Sequence, residues 1–309
     1  MNQVTTSVQA ADEISLPELL ADLWRLKFWF VGLGFVFSAL AVFYSLQLPN
    51  QYKSETVLYP VQQQGGAGLA ASLGGQLGGL ASMAGLNLGS KENKTALALQ
   101  ILNSRVFFEK LSEKYNMLVP LMAAEGWDRD SNTLLINQEL YDSSAKKWVR
   151  QVAAPLTAEP SMEEAFVRFK DILQVDQDKA TSMVRVGIEF VSPELAQQWV
   201  KAIVTELNAE MRHRELSEAE RAISYLNEQL EKTSLQEVRS VMYDLIEEQT
   251  KTLMLANVRE EYMFQVVDPA PYPQLKSGPK RAFIVIFAAL GSIVIIILFS
   301  VFRLVMRKS

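Results

Sequence analysis

The sequence predicts an α+β membrane protein, with two transmembrane helices flanking an α/β base that carries a long antiparallel helical arm. Three observations lead there. Two stretches without a charged residue, 28–48 (FWFVGLGFVFSALAVFYSLQL) and 282–302 (AFIVIFAALGSIVIIILFSVF), lie near opposite ends of the chain. Between them, a run from Pro193 to about Lys232 holds no glycine and no proline after its first residue. Short segments with apolar residues in alternation, around 52–59 and 182–190, supply strands.

At a rise of about 1.5 Å per residue, each apolar stretch reaches about 30 Å, the hydrocarbon thickness of a bilayer. Backbone polar groups in lipid must be satisfied within the segment, so each is expected to span as a helix. A cleaved export signal competes for the first, since Arg25 and Lys27 precede it and Ala39-Leu40-Ala41 resembles a cleavage site. The leading segment is too long and acidic for that (Asp12, Glu13, Glu18, Asp22), and apolar residues continue to Leu48. The second stretch offers no polar face from Ile293 to Phe299, which belongs in lipid. The expected organisation is a tail at 1–27, a span at 28–48, a polar domain at 49–281, a span at 282–302 and a tail at 303–309. Within the first tail, Ser15 and Glu18 form a capping box that opens a short interfacial helix.

Composition narrows the function. The chain has 309 residues, 49% of them hydrophobic, and a formal net charge of -5. The acidic excess lies between the spans and argues against nucleic acid or another polyanion as a partner. The absence of cysteine removes disulfides, thiolate catalysis and cysteine metal sites. The single histidine, His213, sits among Arg212, Arg214 and Glu215 and reads as a solvated helix residue. Glu163-Glu164 and Glu247-Glu248 are adjacent, so they point apart on a helix and cannot act as a paired acid and base. Asp176 and Asp178 lack the glycine and distal glutamate of a calcium loop. No catalytic residue, cofactor or metal site is predicted, so the chain reads as a non-enzyme. Arg25, Lys27, Arg303, Arg307 and Lys308 outnumber the bases on the inner ends of the spans, which leans towards cytoplasmic termini.

After the first span, 52–59 (YKSETVLY) reads as a strand. The tract 65–89 (GGAGLAASLGGQLGGLASMAGLNLG) has no charge and no phosphate-cradling motif. It is expected to be either a flexible loop or an apolar surface that packs on a neighbouring subunit or on lipid. A helix is predicted over 94–115, irregular chain over 126–160, a short helix over 162–169, and a hairpin from 172–175 and 182–190 around a polar turn. Ser192 caps the long helix with Pro193 at its first position. Leu216, Ala219, Ile223, Leu226 and Leu230 step by 3, 4, 3 and 4, a coiled-coil seam and the candidate oligomer contact. Ser234 and Glu237 read as a second capping box, opening a helix to about Glu261; the arm then covers about 193–261. A strand at 264–267 returns the chain. Pro269, Pro271, Pro273 and Pro279 stiffen 269–279 into a collar before the second span.

The order of these features resembles the Wzz-type chain-length determinants, polysaccharide co-polymerases of Gram-negative inner membranes. The residues that carry the resemblance are Ser15–Trp29 leading into a span, the Gly-rich tract, Leu102-Asn103-Ser104-Arg105 and Asp178-Lys179-Ala180-Thr181. To these are added Ser192-Pro193-Glu194-Leu195-Ala196 and the proline collar. The resemblance implies cytoplasmic termini, a periplasmic base with a helical arm, and a homo-oligomer. It implies a part in setting the modal length of O-antigen or a related glycan, with a Wzy-type polymerase as partner and undecaprenyl-linked glycan as a further candidate. Capsule-handling members add a kinase with Walker motifs; their absence here points to the lipopolysaccharide subgroup. The competing reading is a two-span periplasmic adaptor or sensor in polysaccharide or envelope export. A sensor needs an output module, for which the residues after Phe302 leave little room.

Overall fold

The structure is a computed structural model that describes residues 27–61 and 91–308. The interfacial helix of the tail and the Gly-rich tract lie outside the described residues. The elements begin with α1 (Lys27–Gln47), β1 (Tyr52–Pro60), α2 (Lys91–Leu102), α3 (Arg105–Tyr115) and α4 (Leu118–Ala123). Short strands follow, β2 (Ala124–Asp128), β3 (Thr133–Ile136), β4 (Tyr141–Asp142) and β5 (Lys147–Trp148). Then come α5 (Met162–Ile172), β6 (Leu173–Gln177), β7 (Val184–Phe190), α6 (Pro193–Lys232), α7 (Gln236–Val258), β8 (Phe264–Asp268) and α8 (Arg281–Lys308). The chain divides into two compact units, one made of 1–50 and 277–309, the other of Gln51–Lys276.

In the first unit α1 and α8 pack on each other. Within α8, Arg281–Phe299 is 19 residues long and apolar enough to cross a membrane. The apolar part of α1 among the described residues, Gly32–Gln47, is shorter. The helices meet at small residues: a Cβ added to Gly34 would sit 3.5 Å from the Ser292 hydroxyl. Small side chains allow such close approach between apolar helices. Arg281 donates from Nη2 to the Leu48 carbonyl at 3.2 Å and to Asn50 Oδ1 at 3.3 Å. The chain just beyond α1 is thereby tied to the start of α8.

The second unit is built on a four-stranded antiparallel sheet in the order β6-β7-β1-β8. Its register runs from Tyr52 opposite Phe190 to Leu58 opposite Val184. The alternation read from the sequence decides the faces: Val184, Val186, Ile188 and Phe190 are all buried. Phe108 of α3 stacks at 4.8 Å on Phe169 of α5, and Phe190 lies 4.6 Å from Trp199 of α6. Burying such rings contributes roughly 1.5–3 kcal/mol each, so the first contact holds α3 to α5 and the second holds α6 on the sheet. Ser161 and Glu164 form a full capping box at the start of α5. Ser192 accepts from the Leu195 amide at 3.3 Å and starts α6, with Pro193 in the first turn.

Three local expectations change. The helix predicted over 94–115 is two helices, because Ser104 accepts the Phe107 amide at 3.2 Å and restarts the chain as α3. The segment 126–160 is not wholly irregular: β2 and β3 pair, as do β4 and β5. The capping box expected at Ser234 and Glu237 does not form, and α7 begins at Gln236 with no side-chain cap. Arg239 takes over, donating to the Leu230 carbonyl at 2.6 Å and the Thr233 carbonyl at 3.2 Å. Those acceptors are the free carbonyls at the end of α6, so one guanidinium closes the turn between the arm helices. The arm itself is present: α6 is an uninterrupted helix of 40 residues and α7 packs back along it.

Candidate functional site

Four features of the second unit are candidates for a functional role, and each grows from a local sequence constraint. The first is the segment that leaves β8. Pro269, Pro271 and Pro273 have no amide hydrogen, so the chain cannot continue the ladder as a donor. Side chains of the base donate to its carbonyls instead. Thr56 donates to Asp268 at 2.7 Å, Gln197 to Ala270 at 2.8 Å and Ser54 to Pro271 at 2.8 Å. Ser54 and Thr56 are buried, as is Pro273. The first half of the collar is therefore fastened to β1 and α6, whereas Pro279 belongs to the other compact unit.

The second is Asn208, in the middle of α6 and buried among apolar neighbours. Its Oδ1 accepts from the Met263 and Phe264 amides, both at 2.8 Å, and its Nδ2 donates to the Phe264 carbonyl at 3.0 Å. This carboxamide mimics a strand edge and seats the chain as it returns from the arm. Sequence reasoning missed it. The only signal was a polar residue at a position of the apolar helix face marked by Val204, Leu207 and Met211.

The third is the arm surface. Of the seam residues, Leu230 is buried and Leu216, Ile223 and Leu226 are half-buried, with Ala219 buried between them. α7 supplies one buried residue, Ala256, and leaves Val238, Val241, Met254, Leu255 and Val258 exposed.

The fourth is a cavity of about 280 Å³. Tyr52 and Trp127 meet edge to face on one side, with ring centroids 5.4 Å apart. Tyr272, Pro273 and Gln274 of the collar form another wall, and Arg129 and Asn132 of the β2–β3 turn close it. Asn132 is left-handed (φ 51) and fixes the indole, accepting from Trp127 Nε1 at 3.0 Å. Asparagine tolerates that conformation better than most residues. Its Nδ2 donates to Glu194 Oε2 in the first turn of α6, at 3.2 Å. Asp128 holds the same turn, accepting from Ser131 Oγ at 2.6 Å and the Asp130 amide at 3.1 Å. Those bonds lower its pKa below the ordinary value, the Ser131 bond most.

Elsewhere the polar groups are structural. Glu163 pairs with Arg105, while Glu164 takes a two-pronged bond from Arg150 at 2.8 and 3.0 Å, so the adjacent carboxylates do point apart. Bonding to Arg150 holds the Glu164 carboxyl down at about 2, helped by the Ser161 amide. Lys110 and Lys114 of α3 pair with Glu210 and Glu206 of α6. Asp178 folds its own turn, accepting the Ala180 amide at 2.8 Å. His213 is exposed on α6. Among the described residues no group of three Asp, Glu or His side chains converges on a metal position.

Residues 12–115 match the model of "Wzz: Chain length determinant protein". No curated protein matches the chain. A solved structure titled "full-length bacterial polysaccharide co-polymerase" aligns over 95% of this chain and 99% of its own, at 13% identity and a TM-score of 0.38. A fragment of WzzB, a polysaccharide co-polymerase from Salmonella Typhimurium, aligns over 74% of this chain and 100% of its own, at 15% identity and a TM-score of 0.30. The match at residues 12–115 covers about a third of the chain and shows that this part is similar to the Wzz chain length determinant proteins.

Proposed function

We propose that this protein regulates the chain length of a polysaccharide, of O-antigen type, as a non-enzymatic and oligomeric co-polymerase working with a Wzy-type polymerase. The observation that carries the reading is the family match over residues 12–115. In this reading α1 and α8 both cross the bacterial inner membrane, both termini are cytoplasmic and the unit Gln51–Lys276 is periplasmic. A helix of 21 residues such as α1 reaches about 30 Å, which suffices to span. The apolar residues exposed along α7 and half-covered along α6 support assembly, since neighbouring copies would bury them.

The test is the glycan ladder of cells lacking the protein. Polymer is expected to persist while its preferred length disappears, and to regain that length when the protein is restored. A ladder with its preferred length intact, or loss of polymer altogether, would overturn the reading.

A further inference from the structure

The cavity between the β2–β3 turn and the collar has a chemistry that neither the family match nor the fold requires. Trp127 spends its only polar group, the indole N–H, on Asn132. What the indole can offer a ligand is its ring surface. Tyr52 stands against the same ring, and Tyr272 adds a third aromatic, 44% exposed. An aromatic left that exposed contributes little to the core and is free to cover an apolar face of something else. Around these rings stand two planar polar side chains, Arg129 and Gln274, both exposed. Among the described residues neither has a hydrogen-bond or ion-pair partner. A guanidinium and a carboxamide each present adjacent polar groups in one plane, the geometry that meets two neighbouring hydroxyls.

Ring faces beside unspent planar hydrogen-bonding groups match a pyranose, whose C–H-rich face stacks on an aromatic while its hydroxyls point sideways. The charge agrees with a neutral ligand: Arg129 lies between Asp128 and Asp130 in the sequence, and Glu194 borders the turn through Asn132. A phosphate-rich ligand or an anionic lipid surface would call for an excess of cations, which this wall lacks. Volume agrees too. Ligand cavities usually run from roughly 300 to 1,000 Å³, so about 280 Å³ suits one ring and not an oligosaccharide.

We propose that this cavity binds a single neutral pyranose residue of a saccharide chain, with Trp127 and Tyr272 against the ring and Arg129 and Gln274 on its hydroxyls. The proposal rests on the polysaccharide reading above and gives it a point of direct contact with glycan. Asn132 is a positioning residue here, setting the indole plane.

The test uses the full chain in nanodiscs of zwitterionic lipid. Methyl glycosides of glucose, galactose, mannose and N-acetylglucosamine are the probes, each titrated by saturation-transfer NMR. Saturable binding in the millimolar range is expected for at least one of them. Arg129→Ala and Gln274→Ala, at exposed residues without partners, should fold normally and weaken that binding about tenfold each, the worth of one hydrogen bond to a charged or amide group. Absence of saturation with every glycoside, or equal binding by wild type and both variants, overturns the proposal. So does a response that appears only when phosphatidylglycerol is added to the discs, which would make the aromatics a lipid-facing patch. The glycan ladder separates this from failure of the functional reading. If cells lacking the protein lose the preferred length but the variants bind sugar normally, only the cavity assignment falls; if sugar binds but the ladder never depended on the protein, only the function falls.

Discussion

The two halves of α6 follow the same helical rhythm but live in different surroundings. From Pro193 to Met211 the helix buries Trp199, Val200, Ile203, Val204 and Leu207 against the sheet. Beyond Met211 it buries only Ala219 and Leu230, and α7 is its companion within the chain. Periodicity sets which face of a helix is apolar; it does not say how much will cover that face. The near half is a core helix, and its stability is internal to the fold. The far half carries the same kind of stripe with much less cover among the described residues, so less within the chain holds it.

The largest expected effect is at the junction of the halves. Asn208→Ala leaves the Met263 and Phe264 amides buried without an acceptor, at about 1–3 kcal/mol for each unsatisfied group. Thermal unfolding of the full chain in detergent is expected to drop by several degrees. A melting temperature within a degree of wild type would show that the junction is not where the base begins. Next come Ile223→Ala and Leu226→Ala together on the far half. Since both are half-buried, the pair is expected to cost only about 1–2 kcal/mol in the isolated subunit. Mass measurement in nanodiscs is expected to show fewer subunits per particle. Unfolding as costly as at Asn208 with assembly unchanged would mean that the seam is closed inside one chain.

A smaller effect distinguishes the regions by pH. Glu164 sits near 2 in the fold, against an ordinary 4.5, because of Arg150. Its contribution is fully present above about 4.5 and is lost as pH falls towards 2. Glu164→Gln should therefore lower base stability at neutral pH, with the gap to wild type closing across that window, while amide exchange along α7 stays unchanged. A gap that holds constant down to pH 2 would contradict the assigned pairing. The smallest effect on stability is expected from Pro271→Ala with Pro273→Ala, because the donors Ser54, Thr56 and Gln197 grip carbonyls that alanine also has. The readout is instead the glycan ladder, which is expected to shift or broaden at normal protein level. An unchanged ladder would reduce the collar to a linker.

The long elements were legible because their signals are local. Ser192-Pro193 and the break at Thr233-Ser234 marked the ends of α6, and β7 followed from alternation alone. The expectation of one helix over 94–115 failed on a single cap: Ser104 is an ordinary surface residue until its hydroxyl meets the Phe107 amide. The pair β2 and β3 was missed since four or five residues with a glycine carry little periodicity. Arg239 displaced the expected Ser234–Glu237 box because its acceptors lie on the preceding helix, which no window on α7 includes. The cavity could not be read at all. Tyr52, Trp127 and Tyr272 come from three distant parts of the chain, and only the sheet and collar bring them together.

The length of α6 makes it a lever. Forty residues at about 1.5 Å each give a rod of about 60 Å, with no glycine or proline after the first position to absorb a bend. Tilting such a rod by about 5° at its start carries the far end sideways by about 5 Å. The fulcrum is the sheet together with Asn208, and the short end is the first turn, where Glu194 holds Asn132. The turn that shapes the cavity is thus coupled by one side-chain bond to the input end of the lever. With about 22 Å of helix before Asn208 and about 36 Å after it, a rigid tilt about that point would move the tip about one and a half times as far as the first turn.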